Sequence, residues 1–141
     1  LKLSPGAKEL INFFKSTGVK SAIISGGLSY FANRLHKSLG VDTFRANNVE
    51  VTNNSLTGIV LGKVIDANEK ANYIKELCKL YQLKREQVIA IGDGANDLEM
   101  MKIAGVSVAY HAKPLLQKNC DVIINYGGLD SVIDFFEEDG Y

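Results

Sequence analysis

The run VIAIGDGANDLEMM, from Val88 to Met101, sets the architecture of the chain. Val88 to Ile91 are four consecutive apolar residues, the pattern of a short strand buried on both faces. Gly92, Gly94 and Ala95 then permit a tight turn with exposed backbone. Asp93 and Asp97 bracket that turn, and a helix is expected to begin near Asn96 or Asp97. In a parallel sheet such a turn lies at the carboxyl ends of the strands, where ligands bind. Two carboxylates there would repel a bare phosphate, but they suit a hard divalent cation held between them and a phosphate. Taken alone, the same residues also fit a plain helix start, with Asn96 as a cap, Asp97 near the positive end and Asp93 in the turn.

Outward from this run, strands and helices alternate. On its amino-terminal side, Asp66-Ala67-Asn68-Glu69 is a capping-box pattern with Asp in place of Ser or Thr. The helix it opens carries Ile74, Leu77, Cys78 and Tyr81 on one face, and Lys70, one turn before Ile74, falls on the same inner side. On the carboxyl side, Gly105 ends a short helix, Val106 to Ala109 form a strand, and a helical turn follows Pro114. Val122 to Ile124 form another strand, before a final amphipathic helix with Leu129, Val132, Ile133 and Phe136. At the beginning of the chain, Ser4 and Pro5 read as a helix start, with Ala7, Leu10, Ile11 and Phe14 on one face and Gly18 as the stop. Ala22 to Ile24 form a strand ending at Ser25; Gly26 and Gly27 follow, then a helix from about Leu28 to Leu39. From Phe44 to Val60 the period changes, and the Asn53-Asn54 turn predicts a small β-hairpin. This order predicts an α/β fold with a parallel sheet and right-handed crossovers.

With 141 residues, the chain is expected to form one domain, residues 1–141, with a real core. A formal net charge of zero argues against a general electrostatic grip on nucleic acid or an anionic membrane. There is no apolar run of spanning length and no signal-peptide pattern, and Cys78 and Cys120 lack metal-ligand spacing. Their count alone would allow a disulfide in a secreted protein, but two buried free thiols in a reducing cytoplasm are the expectation. The chain opens at Leu1 without Met, as a piece of a longer protein would.

Three places carry the chemistry. Ser25 stands at a strand end before two glycines and a helix, offering a hydroxyl and free amides to an anion. Lys70 is a cation near a helix start, opposing the macrodipole instead of complementing it. Asp93 and Asp97 could hold a cation. Together these groups suit a phosphoryl group passing through a charged transition state.

Ile24-Ser25-Gly26-Gly27, Lys70 within Asp66-Ala67-Asn68-Glu69-Lys70-Ala71, and Gly92-Asp93-Gly94-Ala95-Asn96-Asp97 resemble motifs two, three and four of the haloacid dehalogenase-like phosphatases. Tyr30-Phe31-Ala32, Leu56-Thr57-Gly58 and Ala109-Tyr110-His111-Ala112-Lys113-Pro114 narrow the resemblance to the phosphoserine phosphatase family, although Leu28 stands where that family commonly has Phe. The resemblance covers nearly the whole chain. It implies a Rossmann-like core and hydrolysis of a small phosphomonoester through an aspartyl-phosphate. Ser25 and the Gly26 amide would bind a phosphoryl oxygen, and Lys70 would neutralise charge. Asp93 would ligate Mg²⁺, Asp97 would support the metal or orient Lys70, and Asn96 would help bind substrate.

The family's first motif, Asp-x-Asp-x-Thr or Val after a strand, supplies the nucleophile and general acid. No such run occurs here: Asp42, Asp66 and Asp121 lack both the pattern and the apolar strand before it. The cap that reads the serine part is also not recognisable. The resemblance therefore implies a central first strand, between Ala22–Ile24 and Val88–Ile91, supplied by an upstream segment or another chain. Alone, the residues in hand are expected to be inactive and not to form a stable monomer. Two other functions are open to the sequence. Ser25, Asp93 and His111 follow the chain order of an α/β-hydrolase triad, but Ile23 occupies the position where the nucleophile elbow needs Gly. A non-catalytic phosphate- or partner-binding module would fit the lack of a nucleophile.

Overall fold

A computed structural model describes residues 3–52, 55–61 and 65–138. The chain divides into two compact units, residues 1–63 with 127–141, and residues 64–126. Both are α/β, with parallel strand pairs and flanking helices.

The first unit begins with helix α1, Ala7–Ser16. Its start differs from the Ser4-Pro5 expectation. Gly6 is in the left-handed region, φ +79°, and the Pro5 carbonyl accepts from Leu129 N–H at 2.7 Å, so the chain turns before it coils. The end follows the glycine signal: Gly18, φ +77°, lets Val19 N–H bond the Phe14 carbonyl at 2.8 Å and Gly18 N–H the Lys15 carbonyl at 3.3 Å. Strand β1 is Ala22–Leu28, helix α2 Ser29–Leu39, strand β2 Thr43–Thr52 and strand β3 Ser55–Leu61. They form a three-stranded sheet in the order β1-β2-β3. The expected hairpin is present, with Thr52 opposite Ser55; its Asn53-Asn54 turn lies outside the described residues. It is not a separate ribbon, because β2 also pairs in parallel with β1.

The second unit holds helix α3, Ala67–Leu80, strand β4, Ile89–Gly92, and helix α4, Leu98–Ile103. Strand β5, Val106–Tyr110, helix α5, Pro114–Gln117, and strand β6, Val122–Ile124, complete it. The strands are parallel, in the order β4-β5-β6. The most buried strand is β5, with Val108 2% and Ala109 0% exposed, rather than β4, whose Ile89 and Ile91 are half-buried. An unbroken apolar run marks a strand that can be covered on both faces; it does not say whether that strand has a neighbour on each edge. Helix α6, Ser131–Glu138, belongs to the first unit, where Phe136 packs edge-on against Phe13 and Phe14 at centroid distances of 5.6 and 5.7 Å.

Candidate active site

In the second unit, sequence places Lys70 four residues into the capped helix. Asp66 accepts the Glu69 N–H at 2.9 Å and fixes the first turn. Lys70 then lies on the inner face with Ala71, Ile74 and Cys78, and is only 5% exposed. A lysine buried this far needs a counter-charge. Asp97 provides it: its Oδ1 accepts from Lys70 Nζ at 2.7 Å, and both side chains are over nine-tenths buried. The other oxygen, Oδ2, accepts the Asp93 N–H at 3.1 Å and the Gly94 N–H at 3.3 Å. One carboxylate thus anchors the ammonium and folds the turn after β4 back on itself. Gly92 is required for this approach, since a Cβ there would stand 2.6 Å from Asp97 Cβ.

Asp93 itself is exposed at the carboxyl end of β4, as is Asn96 in the single 3₁₀ turn of Ala95–Asp97. The loop after β5 joins this edge, with Lys113 N–H directed at the Asp93 carbonyl at 3.4 Å. Lys70, Asp93, Asn96 and Asp97 are therefore gathered within one unit. Asp97, offered above beside Asp93 as a metal ligand, has both oxygens engaged within the protein.

Ser25 and Gly26 belong to the first unit. They do not form a turn leading straight into a helix. The strand runs on through Gly26 and Gly27 to Leu28, with a break in register between Ile24 and Leu28. Ser25 Oγ accepts the Gly27 N–H at 2.9 Å, which leaves the hydroxyl hydrogen able to donate elsewhere. The carbonyl of Gly26 accepts from Asn47 Nδ2 at 2.7 Å. Asn47, 9% exposed, is a contributor that pattern reasoning passed over, because a polar residue in a hairpin strand carries no distinctive signal. The extended backbone also removes the elbow that an α/β-hydrolase nucleophile needs.

A family profile for haloacid dehalogenase-like hydrolases matches residues 47–136. The chain belongs to the haloacid dehalogenase-like hydrolases. Within that family it is 43% identical over 138 residues to a phosphoserine phosphatase of Polaromonas sp., an alignment covering 95% of this chain and 58% of the relative. The crystal structure of a probable phosphoserine phosphatase from Vibrio cholerae, in unliganded form, superimposes with a TM-score of 0.93 at 39% identity, covering 97% of this chain and 42% of that one. A phospho-aspartyl intermediate analogue of a phosphoserine phosphatase matches with a TM-score of 0.90 at 34% identity, covering 95% and 64%. The chain thus spans well under two thirds of the length of its Polaromonas and Vibrio relatives.

Proposed function

We propose that this chain is the phosphate- and metal-holding part of a Mg²⁺-dependent phosphoserine phosphatase. The full-length protein hydrolyses O-phospho-L-serine to L-serine and phosphate, in cytoplasmic serine biosynthesis. The observation that carries the proposal is the buried Lys70–Asp97 pair, 2.7 Å long, at the turn that follows β4. Buried ion pairs stabilise a fold poorly compared with apolar packing, so one kept at a ligand-binding edge points to use. The names of the relatives supply the substrate.

Each residue then has a part. The Ser25 hydroxyl and the Gly26 amide bind a phosphoryl oxygen. Lys70 neutralises charge on the phosphoryl group and on the attacking carboxylate, and Asp97 keeps it aimed. Asn96, exposed and next to Asp97 in the chain, contacts the substrate. The family implies a divalent cation, and the exposed Asp93 carboxylate is a suitable hard oxygen ligand for it. Among the described residues no three His, Cys, Asp or Glu side chains cluster for a metal, so Asp93 is one ligand of a set completed elsewhere. When bound, Mg²⁺ supplies positive charge to the phosphoryl oxygens.

The nucleophilic Asp and the general acid are assigned to a further strand, from an upstream segment or another chain. The support for that strand is that, among the described residues, β1 pairs only with β2 and β4 only with β5. A carboxylate from it attacks phosphorus as the bond to the seryl oxygen breaks and the general acid protonates that oxygen; water then hydrolyses the aspartyl-phosphate, releasing phosphate and restoring the carboxylate. The test is phosphate release by the full-length protein from phosphoserine, phosphothreonine and p-nitrophenyl phosphate across a Mg²⁺ titration. Preferential, Mg²⁺-dependent hydrolysis of phosphoserine is expected, with none from residues 1–141 alone. No turnover of phosphoserine by the full-length protein would overturn the activity; turnover by residues 1–141 alone would overturn the placement of the nucleophile.

A further inference from the structure

We infer that Asn47 is a positioning residue for the phosphate-binding segment, acting on Ser25 through the Gly26–Gly27 peptide; this rests on the function proposed above. The register of the β1–β2 pair shows why one is needed. Ile24 lies opposite Arg45 and Leu28 opposite Asn47, so Ser25, Gly26 and Gly27 on β1 face Ala46 alone on β2. The regular ladder cannot hold all of the extra backbone. Two of the residues in the break are glycines, which have the greatest conformational freedom to lose. Left to themselves they would sample many peptide orientations.

The structure ties this peptide at both ends. Its carbonyl, on Gly26, accepts from Asn47 Nδ2 at 2.7 Å. Its N–H, on Gly27, donates to Ser25 Oγ at 2.9 Å. A hydrogen bond at the carbonyl polarises the same peptide and strengthens donation by its N–H. Asn47 therefore reaches the Ser25 oxygen through one peptide unit. With one lone pair of that oxygen engaged by the Gly27 N–H, the Ser25 side chain is held in place and its hydroxyl hydrogen is left to donate to a phosphoryl oxygen. The Gly26 carbonyl needs a donor, which the Asn side chain supplies and an ionised Asp does not, so the chemistry selects Asn over Asp at this position. Burial of Asn47, 9% exposed, keeps water from taking its place.

The test uses the full-length protein with Asn47→Ala, Asn47→Asp and, as a control for general destabilisation of the same unit, Val41→Ala. Val41 is buried, 4% exposed, and has no part in the site. Three quantities are measured: the inhibition constant of inorganic phosphate, the melting temperature, and hydrogen exchange at the Gly27 amide. Loss of one neutral hydrogen bond predicts a roughly three- to tenfold weaker hold on phosphate for Asn47→Ala, with faster exchange at Gly27. Asn47→Asp, which sets a carboxylate against a carbonyl, should be at least as impaired. Val41→Ala should lower the melting temperature while leaving phosphate inhibition unchanged. Phosphate inhibition that falls equally in Val41→Ala and Asn47→Ala, or Gly27 exchange unchanged in Asn47→Ala, would overturn the inference. If the unsubstituted protein does not bind phosphate, the proposed function fails, while the exchange measurement still judges the Asn47 contact by itself.

Discussion

The residues proposed to hold phosphate and metal are fixed by opposite means in the two units. In the second unit these groups are charged and buried: Lys70 and Asp97 form an ion pair, and Asp97 also gathers two backbone amides. In the first unit they are neutral and sit on backbone: Ser25 and Gly26 are fixed by one peptide, bonded at its two ends. The contrast follows from the chemistry of each group. A charge taken out of water must be paired wherever it is placed, so the pair becomes part of the fold. A hydroxyl or an amide can remain near solvent at little expense, so it needs only a fixed direction. Substitution of Lys70 or Asp97 should therefore disturb stability and activity together, and substitution of Ser25 activity alone.

Asp97→Ala should have the largest effect. It strands the Lys70 ammonium and two amides, and unfolding free energy should fall by about 3–5 kcal/mol in urea denaturation. A loss below about 1 kcal/mol would mean that the pair is not buried in solution. Lys70→Met leaves Asp97 its two amide donors. It should destabilise less, yet lower turnover of the full-length protein roughly 10³-fold, as loss of a transition-state electrostatic partner does. Gly92→Ala comes next, because its Cβ would meet the Asp97 side chain at 2.6 Å. About 1–3 kcal/mol of overpacking strain is expected, with a fall in turnover, read by thermal melts and initial rates. Ser25→Ala should be nearly silent in stability, within about 0.5 kcal/mol. It should reduce turnover by up to about 10²–10³-fold, the upper range for one donor. A large drop in melting temperature for that variant would erase the contrast between the two regions.

Much of this was legible in the residues themselves. The Asp66 cap dictates where α3 begins, and counting one turn from Ile74 places Lys70 on the buried face. Gly18 predicts the stop of α1, because its positive φ is the one that stop requires. Other features had no local signal. Helix α3 ends with Gln82 at φ +55°, a conformation usually given to Gly, and Leu83 N–H caps the Cys78 carbonyl at 2.8 Å. Val106 to Ala109 are no more apolar than Val88 to Ile91, yet β5 holds the middle of its sheet, because strand order depends on pairing across the chain. Ser25-Gly26-Gly27 reads as a loop, and its extended form is supported by contacts with β2, which lies about twenty residues on. The partner of Asp97 could be guessed only from the family pattern, since a carboxylate after a glycine turn fits a helix start equally well.

The most direct test of the account is a Mg²⁺ titration of phosphoserine hydrolysis by the full-length protein and its Asp93→Asn variant. Asp93 is exposed, and its carboxylate accepts no hydrogen bond within the site as described, so the substitution should leave the fold intact. Replacing a charged oxygen ligand with a neutral amide should remove most Mg²⁺-dependent turnover and move any remaining activity to much higher Mg²⁺. Identical Mg²⁺ dependence and rate in the two proteins would contradict the assignment of this edge as the metal- and phosphate-holding part of the enzyme.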